Sequence, residues 1–208
     1  WGQLGQAAVR IFLDRGAVVA ANDRSDLTET SELHEVLKLY GEQRMIFVRS
    51  DVSKESDVRE LADAIERKFG RLDGYLHTAY TAIHKPVVEQ TLEEWERVLS
   101  GTLTSTFLVC KYLLPLLIKS GGGSIVHTSS IISQVPAASN AAYGAAKSGV
   151  NQFTRIVAHD YARNNIRANA ILPGIFFSSE RAAGLRDDVQ AQRLFHDNTL
   201  LERCGTAE

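Results

Sequence analysis

The sequence predicts an α/β protein with one doubly wound parallel sheet in a single domain. Apolar runs of strand length alternate with helical stretches along the whole chain, and short turns join them. Because crossovers between parallel strands are right-handed, such a chain winds helices onto both faces of its sheet. The 208 residues are 44% hydrophobic, enough for one large core, so we assign residues 1–208 to one domain.

The first part of the chain carries three predicted helix–strand units. Helical spacing of apolar residues, with a glycine as the stop, predicts helices at residues 6–16, 33–40 and 55–69. Short apolar runs predict strands at residues 17–21, 45–48 and 72–79. Ser53 is predicted to cap the third of these helices, because a serine oxygen can accept from a first-turn amide.

The second part continues the alternation with longer helices. Thr91 and Glu94 fit a capping box in front of a long helix at residues 95–118, which Pro115 is expected to kink or shorten. Three glycines at 121–123 predict a turn. After it we expect a strand at 124–128, a helix at 141–162 and a strand at 167–172.

Composition restricts the classes of partner. Lys plus Arg number 23 and Asp plus Glu number 25, and a net charge of −2 argues against a nucleic-acid or anionic-membrane footprint. The longest apolar run, residues 107–118, is too short to span a bilayer. We therefore expect a cytoplasmic protein that acts on a small molecule, with no nucleic-acid and no membrane partner.

No disulfide framework or metal site is predicted. Cys110 and Cys204 have neither the number nor the spacing for one, and Cys110 follows an apolar run that favours a buried thiol. His77, His127 and His159 lack metal-ligand spacing, so core or surface roles are favoured for them.

Three side chains form the first functional pattern. Tyr143 and Lys147 are four residues apart, which places both on one face of a helix. Ser130 follows the strand predicted at 124–128, so its hydroxyl can face the phenol and the ammonium. These are the parts of a carbonyl-reducing site. The Tyr–Lys pair taken alone also fits an ordinary exposed helix surface.

The N-terminal residues suggest a phosphate-binding turn. Gly2, Gln3, Leu4 and Gly5 lead into a helix and look like the second half of a glycine-rich dinucleotide turn. In such a turn, backbone amides and a helix N-terminus face a pyrophosphate. A plain helix-opening turn is the alternative interpretation.

Acids at the ends of the next two strands strengthen this interpretation. Asp23 comes 18 residues after Gly5, about where an acid would bind the adenosine ribose hydroxyls. Asp51 and Val52 end the following strand on the same edge. Because Asp23 would repel a 2′-phosphate, NAD is favoured as cofactor, while the neighbouring Arg24 keeps NADP open.

Together these motifs resemble the short-chain dehydrogenase/reductase family over essentially the whole chain. Ser130, Tyr143 and Lys147 match the family's Ser…Tyr-x-x-x-Lys arrangement, with the usual separation of 13 between Ser and Tyr. Trp95, residues 165–169 and Pro173-Gly174 add to the match. The resemblance implies a Rossmann-type fold and an NAD(P)-dependent oxidoreductase that interconverts a secondary alcohol and a ketone.

The resemblance also implies roles for the site residues. Tyr143 would be the acid/base, Lys147 would lower the pKa of Tyr143 and hold the nicotinamide ribose, and Ser130 would hydrogen-bond the reacting oxygen. Thr102 stands where the family has an active-site Asn. Further cofactor contacts are implied at Ala79, Pro173, Gly174 and Ile175. A specificity segment, expected to form an apolar pocket wall under a mobile lid, would run from Ile175 to about Asn198.

Departures from the family pattern leave a second function open. Gln3 and Tyr80 replace glycines near the cofactor, and Thr102 replaces the Asn. A catalytically impaired dinucleotide-binding or regulatory member of the family is therefore the alternative to an active enzyme. The resemblance also implies a homodimer or homotetramer through the two helices at 95–118 and 141–162, so a scaffold role is compatible with either.

Both ends of the sequence resemble interior positions of the family pattern. The first and last strands of the sheet are therefore expected to be missing, which would leave the neighbours of a central strand with unpaired edges. We expect these 208 residues alone not to be a stable, active enzyme. A cooperative thermal transition together with cofactor binding by this chain would refute that expectation.

Overall fold

The computed structural model describes residues 2–27, 32–177, 189–190, 193 and 205–207. Parallel strands alternate with helices along the chain, which confirms the predicted α/β class. Cys204 and most of the expected specificity segment lie outside the described residues.

The element bounds stay close to the sequence predictions. The helices are α1 Gln3–Asp14, α2 Glu32–Tyr40, α3 Glu55–Phe69, α4 Leu92–Leu99, α5 Ser105–Lys119 and α6 Ala141–Asp160. The strands are β1 Val19–Asp23, β2 Met45–Arg49, β3 Gly74–His77, β4 Gly123–Thr128, β5 Ile166–Ile171, β6 Phe176–Phe177 and β7 Gly205–Thr206. The first strand begins two residues later than predicted, because Ala17 and Val18 belong to the turn after α1.

The described strands form three hydrogen-bonded groups. β1 pairs with β2, β4 lies between β3 and β5, and β6 pairs with β7, in every case in parallel. Within the described ranges, no ladder joins β1 to β3. Ala20, Val48 and Tyr75, from β1, β2 and β3, nevertheless pack on one apolar cluster of α3 and α5. The first two groups therefore share a layer without sharing hydrogen bonds.

Helices α4 and α5 form one continuous helix with a π-helical segment, Ser100–Thr104, between them. The capping box is confirmed: Thr91 accepts from the amide of Glu94, and the Glu94 carboxylate accepts from the amide of Thr91. Pro115 lies inside α5 without ending it. The regular helix breaks at residues 100–104 instead.

The combined helix revises the prediction about membrane crossing. Leu92–Lys119 has 28 residues and is long and apolar enough, by length and composition, to cross a bilayer. However, 56% of its apolar window is buried inside the protein. Leu108, Leu113, Leu114 and Leu117 enter the core clusters around α3, β4 and α6. These contacts are those of a core helix.

The predicted cap at Ser53 is wrong. Lys54 precedes α3, and no side chain caps the helix. The Ser53 hydroxyl instead donates to Asp51 Oδ1 at 2.7 Å, and Asp57 Oδ2 accepts from the amide of Asp51 at 3.0 Å. The helix end is as predicted, because Gly70 adopts the left-handed conformation (φ 68°) that closes α3.

Candidate active site

The carboxyl end of β4 is tied to α6, and this brings Ser130 near Tyr143 and Lys147. The Ser129 hydroxyl donates to the carbonyl of Lys147 at 3.0 Å, while the Ser129 amide donates to the carbonyl of Ile171 at 2.8 Å. Ser130 follows in extended conformation, and its Oγ accepts from the amide of Ile132 at 3.3 Å. The predicted triad therefore meets at one edge of the sheet.

Lys147 is a buried cation. Its side chain is 1% exposed, and Nζ donates to the carbonyl of Thr128 at 2.6 Å. Nζ lies 5.7 Å from the ring centroid of Tyr143 and 5.3 Å from that of Tyr80. Burial lowers the pKa of Lys147 to about 8, because the charged form loses its hydration.

The expected lowering of the Tyr143 pKa by Lys147 is not seen. Burial raises the pKa of the phenol, Tyr80 raises it further, and the Ser130 hydroxyl counteracts part of this rise. Lys147 Nζ lies over the ring and donates to Thr128 instead of the phenol oxygen. The i,i+4 spacing placed the two residues on one face correctly, but it could not set the direction of the ammonium group.

Two aromatic side chains, Tyr80 and His84, lie beside Tyr143. Tyr80 is 60% exposed, with its ring centroid 5.8 Å from that of Tyr143. The His84 ring lies at 6.3 Å, edge-on, and its Nδ1 is 2.9 Å from Asn140 Oδ1. Sequence analysis treated Tyr80 only as a departure and did not single out His84. Only the folded loop after β3 brings His84 to Tyr143.

Thr102 is in the π-helical segment and does not offer an open hydroxyl. Its side chain is 1% exposed. Oγ1 donates to the carbonyl of Thr81 at 2.9 Å and accepts from the amide of Thr81 at 3.0 Å. Thr102 thus holds the loop that carries Tyr80 and His84. Direct contact with substrate, as predicted for a catalytic Thr102, has no support in this geometry.

Two buried histidines lie on the strands beneath the site. Burial lowers the pKa of His77 to about 3, with smaller contributions from His127 and Lys147, and lowers that of His127 to about 4. His127 Nδ1 lies 2.8 Å from Thr154 Oγ1, and Nε2 lies 3.0 Å from the Tyr75 hydroxyl. The core role favoured for both residues fits this burial. No metal-binding group of His, Cys, Asp or Glu occurs within the described ranges.

The N-terminal turn lies near the end of β3. Gly2 precedes α1 in extended conformation, and no side chain caps the helix. A methyl group on Gly5 would lie 3.5 Å from Thr78 Oγ1. Gln3 and Leu4 form the half-buried start of the helix. The first-turn amides of α1 therefore lack a protein cap, as phosphate binding requires.

The other residues assigned to cofactor binding lie at strand ends. Asp23 Oδ1 accepts from the amide of Ser25 at 2.8 Å, in the turn after β1. Asp51 holds Ser53, while Val52 and Ala79 pack on the α3–α5 cluster.

The remaining assigned residues follow β5. The carbonyl of Pro173 accepts from the amide of Ile131 at 3.0 Å, which places Pro173 beside Ser130. Gly174 has open space around it in the described part of the chain. The carbonyl of Ile175 accepts from Gly205, next to the β6–β7 pair.

This edge of the sheet fits a dinucleotide. The uncapped start of α1 suits a pyrophosphate. Thr128 Oγ1 is buried and has no hydrogen-bond partner among the described residues, although it belongs to the residue whose carbonyl holds Lys147. An unpaired buried hydroxyl at this point suits a polar ligand.

Comparisons with known proteins agree with this geometry. A family model described as "Enoyl-(Acyl carrier protein) reductase" matches residues 3–208. Cis-4-hydroxycyclohexanecarboxylate dehydrogenase of Sinomonas cyclohexanicum is 36% identical over 189 residues, which cover 90% of this chain and 74% of that protein.

The chain is a short-chain dehydrogenase/reductase.

Two further members of the short-chain dehydrogenase/reductase family show how broad the likeness is. A 3-oxoacyl-(acyl-carrier-protein) reductase of Chlamydia pneumoniae is 29% identical over 205 residues, covering 99% of this chain and 81% of that protein. The crystal structure of NADPH-dependent 3-quinuclidinone reductase from Rhodotorula rubra has a TM-score of 0.86 and 27% identity, and covers 99% of this chain and 76% of that one. Relatives of this chain are NAD(P)-dependent enzymes of alcohols and ketones.

A cavity of about 290 Å³ opens beside Gly144, next to Tyr143 along α6. Its walls are mostly apolar, and Lys85, Ser139 and Asn140 supply the polar groups. The apolar residues at the wall are Val87, Ile132, Pro136, Ala137 and Ala141. The volume is at the lower end for small-molecule sites.

Proposed function

We propose that this protein is an NAD(P)-dependent dehydrogenase that interconverts a secondary alcohol and a ketone, with Tyr143 as the acid/base. The observation that carries the proposal is the meeting of Ser130, Tyr143 and the buried Lys147 at one sheet edge. All three groups are needed at a reacting carbonyl oxygen: a proton donor, a hydrogen-bond donor and a fixed positive charge.

The bound dinucleotide supplies or accepts the hydride. Tyr143 gives its phenolic proton to the carbonyl oxygen in reduction and takes the proton back in oxidation. Because its pKa is raised, the phenol is protonated at neutral pH and suits the reducing direction. Ser130 donates a hydrogen bond to the same oxygen and stabilises charge that develops there. Lys147, with a pKa of about 8, is mostly charged at pH 7 and favours the phenolate.

The family model's description raises the alternative of enoyl thioester reduction. The spacing of four between Tyr143 and Lys147 supports carbonyl chemistry, because the enoyl-reducing relatives have a wider gap. The dehydrogenase and the two reductases compared above bear names of hydroxyl and carbonyl substrates. We therefore propose carbinol and carbonyl substrates, and not carbon–carbon double bonds.

We further propose a compact ring alcohol as substrate. The cavity of about 290 Å³ is small and mostly apolar, which suits a substituted cyclohexanol better than a long acyl thioester. A relative at 36% identity is named for a hydroxycyclohexane acid. Turnover of cyclohexanols, without turnover of a 3-oxoacyl thioester, is the result that supports this choice.

NAD is proposed as the cofactor because Asp23 ends β1 at the carboxyl edge of the sheet. A carboxylate there repels the 2′-phosphate of NADP. The NADPH-dependent relative shows that the family also uses the phosphorylated cofactor. Fluorescence titration with NADH and with NADPH separates the two, and tighter NADPH binding would contradict the proposal.

The test of the catalytic assignment is Tyr143→Phe in the intact protein. We expect kcat to fall by about 10²–10⁴-fold, because the acid/base is lost, while NADH binding stays unchanged. Tyr112→Phe is the matched control, since the Tyr112 hydroxyl contacts Glu55 on the protein exterior. Wild-type turnover by Tyr143→Phe would overturn the assignment.

A second candidate function is a catalytically impaired dinucleotide-binding protein. Tyr80, exposed over Tyr143 and Lys147, fills space where the family has glycine. If wild-type protein binds NADH but reduces no ketone of a broad panel, this second function is supported instead.

Oligomer formation through α5 and α6 remains our proposal for assembly. Phe107 and Ile118 of α5 and Ile156 of α6 are large apolar side chains exposed on the long helices. Members of the family are often oligomeric. We also retain the cytoplasmic location as a prediction.

A further inference from the structure

We propose that His84 determines substrate specificity by accepting a hydrogen bond from a second hydroxyl group of the substrate, close to the reacting carbon. The inference rests on the proposed function, because it needs Tyr143 at the reacting oxygen. It adds a requirement that the Ser–Tyr–Lys set does not contain: the preferred substrate is a diol or a hydroxyketone.

The position of His84 supports contact with substrate. Its ring meets the Tyr143 ring edge-on, with an interplanar angle of 68° and 6.3 Å between centroids. The residue is exposed. Its neighbours in the chain and in space, Lys85 and Asn140, both line the cavity of about 290 Å³. His84 thus lies between the acid/base and the cavity.

Hydrogen bonds around Asn140 assign the tautomer of His84. Asn140 Nδ2 donates to the carbonyl of Ala138 at 2.7 Å, so Asn140 Oδ1 is the atom that faces His84. The distance from Oδ1 to His84 Nδ1 is 2.9 Å. Because a carbonyl oxygen only accepts, Nδ1 carries the hydrogen of the neutral ring, and Nε2 carries a lone pair.

The other ring nitrogen has no protein donor in the part of the chain that the structure describes. A group that binds Nε2 of the neutral ring must therefore bring its own hydrogen. A hydroxyl does this, whereas a carboxylate or a ketone oxygen does not. With hydrogen bonds of about 2.8 Å to both Nε2 and Tyr143, the two substrate oxygens must sit on nearby carbons.

The surrounding wall is held in place. Lys85 forms a β-bridge with Asn140, and Lys85 Nζ contacts Glu94 Oε1 at 2.5 Å. The cation nearest to His84 along the chain is thus already paired with an acid. This arrangement favours a neutral polyol over an anionic substrate.

The experiment compares cis-1,2-cyclohexanediol with cyclohexanol, using NAD⁺ and the intact protein. His84→Phe keeps the aromatic contact with Tyr143 but removes the acceptor. We expect KM for the diol to rise about 3- to 10-fold, the effect of one lost hydrogen bond, with kcat nearly unchanged. The constants for cyclohexanol should stay the same. His84→Gln, which retains an acceptor oxygen, should recover part of the diol preference.

His159→Phe is the control, because the His159 side chain is 90% exposed at the far end of α6. Equal effects of His84→Phe on both alcohols, or no effect on either, would overturn the inference while the proposed function stands. If wild-type protein oxidises no alcohol at all, the proposed function fails, and this inference fails with it.

Discussion

Lys147 combines two features that oppose each other, a positive charge and nearly complete burial. In the described part of the chain its ammonium group has a backbone carbonyl as partner and no carboxylate. Burial without an anion destabilises the charged form, which is why the pKa falls to about 8. A site that orients a reacting phenol gains from such a fixed charge. The folded state pays for it in stability.

We predict that Lys147→Met abolishes turnover and raises the free energy of unfolding at pH 7. The lowered pKa corresponds to a cost of about 3 kcal/mol for the buried charge, and the lost bond to Thr128 offsets about 1 kcal/mol. We therefore expect a net gain of about 1–2 kcal/mol in urea denaturation. Lys38→Met, at an exposed helix position, should change stability by less than about 0.5 kcal/mol.

The pH dependence gives a second measurement on the same variant. Between about pH 8 and 10.5 the unfolded lysine still binds its proton while the folded one has lost it. The stability of the wild type therefore rises with pH in this window, by up to about 1.4 kcal/mol per unit. Lys147→Met should lack that rise, and a less stable variant at pH 7 would contradict the account.

At the scale of elements, the π-helical segment between α4 and α5 shapes the loop after β3. The segment contains Gly101 and Thr102, and both face Thr81. A π-turn inserts one extra residue into a helix and is frequent at functional sites. Here it lets the helix approach the backbone of Thr81, which positions Tyr80 on the other side of the loop.

We predict that Gly101→Ala destabilises the protein by about 1–3 kcal/mol and raises KM. The added methyl carbon would lie 2.7 Å from Thr81 Cβ, so the loop or the helix must shift. Gly174→Ala is the control for stability, because its methyl group meets open space among the described residues. Thermal denaturation and substrate kinetics check both effects. A fully stable Gly101→Ala with wild-type KM would show that the contact is unimportant.

At the scale of the whole molecule, buried histidines link the sheet to pH. His127 receives the Tyr75 hydrogen at Nε2 and gives its own Nδ1 hydrogen to Thr154, which in turn donates to the carbonyl of Val150. This chain suits only the neutral ring, since a proton on Nε2 would face another donor. His77, deeper against Ser105, is also neutral, with a pKa of about 3.

We predict a loss of stability between about pH 6.5 and 4.5. In this window unfolded histidines bind protons and the two buried ones do not, so stability falls as pH falls, by up to about 2.7 kcal/mol per unit for both. Glu55 and Glu94, whose pKa values are lowered by Lys111 and Lys85, act below this window.

His127→Gln should reduce that slope to about half, measured by urea midpoints at several pH values. His159→Gln, at an exposed position, should leave the slope unchanged. Equal slopes for His127→Gln and wild type would contradict the assignment of acid sensitivity to the buried ring.

The arrangement of strand groups is also a property of the whole molecule. The β1–β2 pair shares its own apolar cluster with α1 and α2, whereas β3, β4 and β5 pack with α5 and α6. The sequence analysis expected an absent central strand to leave unpaired edges. The lack of a ladder between β1 and β3 in the described ranges is consistent with that expectation.

The sequence by itself determined the class, the order of elements and the residues that meet at the site. Periodicity, glycine stops and the capping box are local signals, because they depend on backbone sterics within a few residues. Ser130, Tyr143 and Lys147 were predictable for a similar reason: strand ends of a parallel sheet share an edge, and a spacing of four shares a helix face.

Only the tertiary structure decided the direction and environment of these groups. The Lys147 ammonium points to Thr128, the Thr102 hydroxyl is used by Thr81, and His84 reaches Tyr143 from a separate loop. The pKa of Tyr143 therefore rises where sequence spacing predicted a fall. Burial and hydrogen-bond partners depend on residues distant in the chain, so no local pattern encodes them.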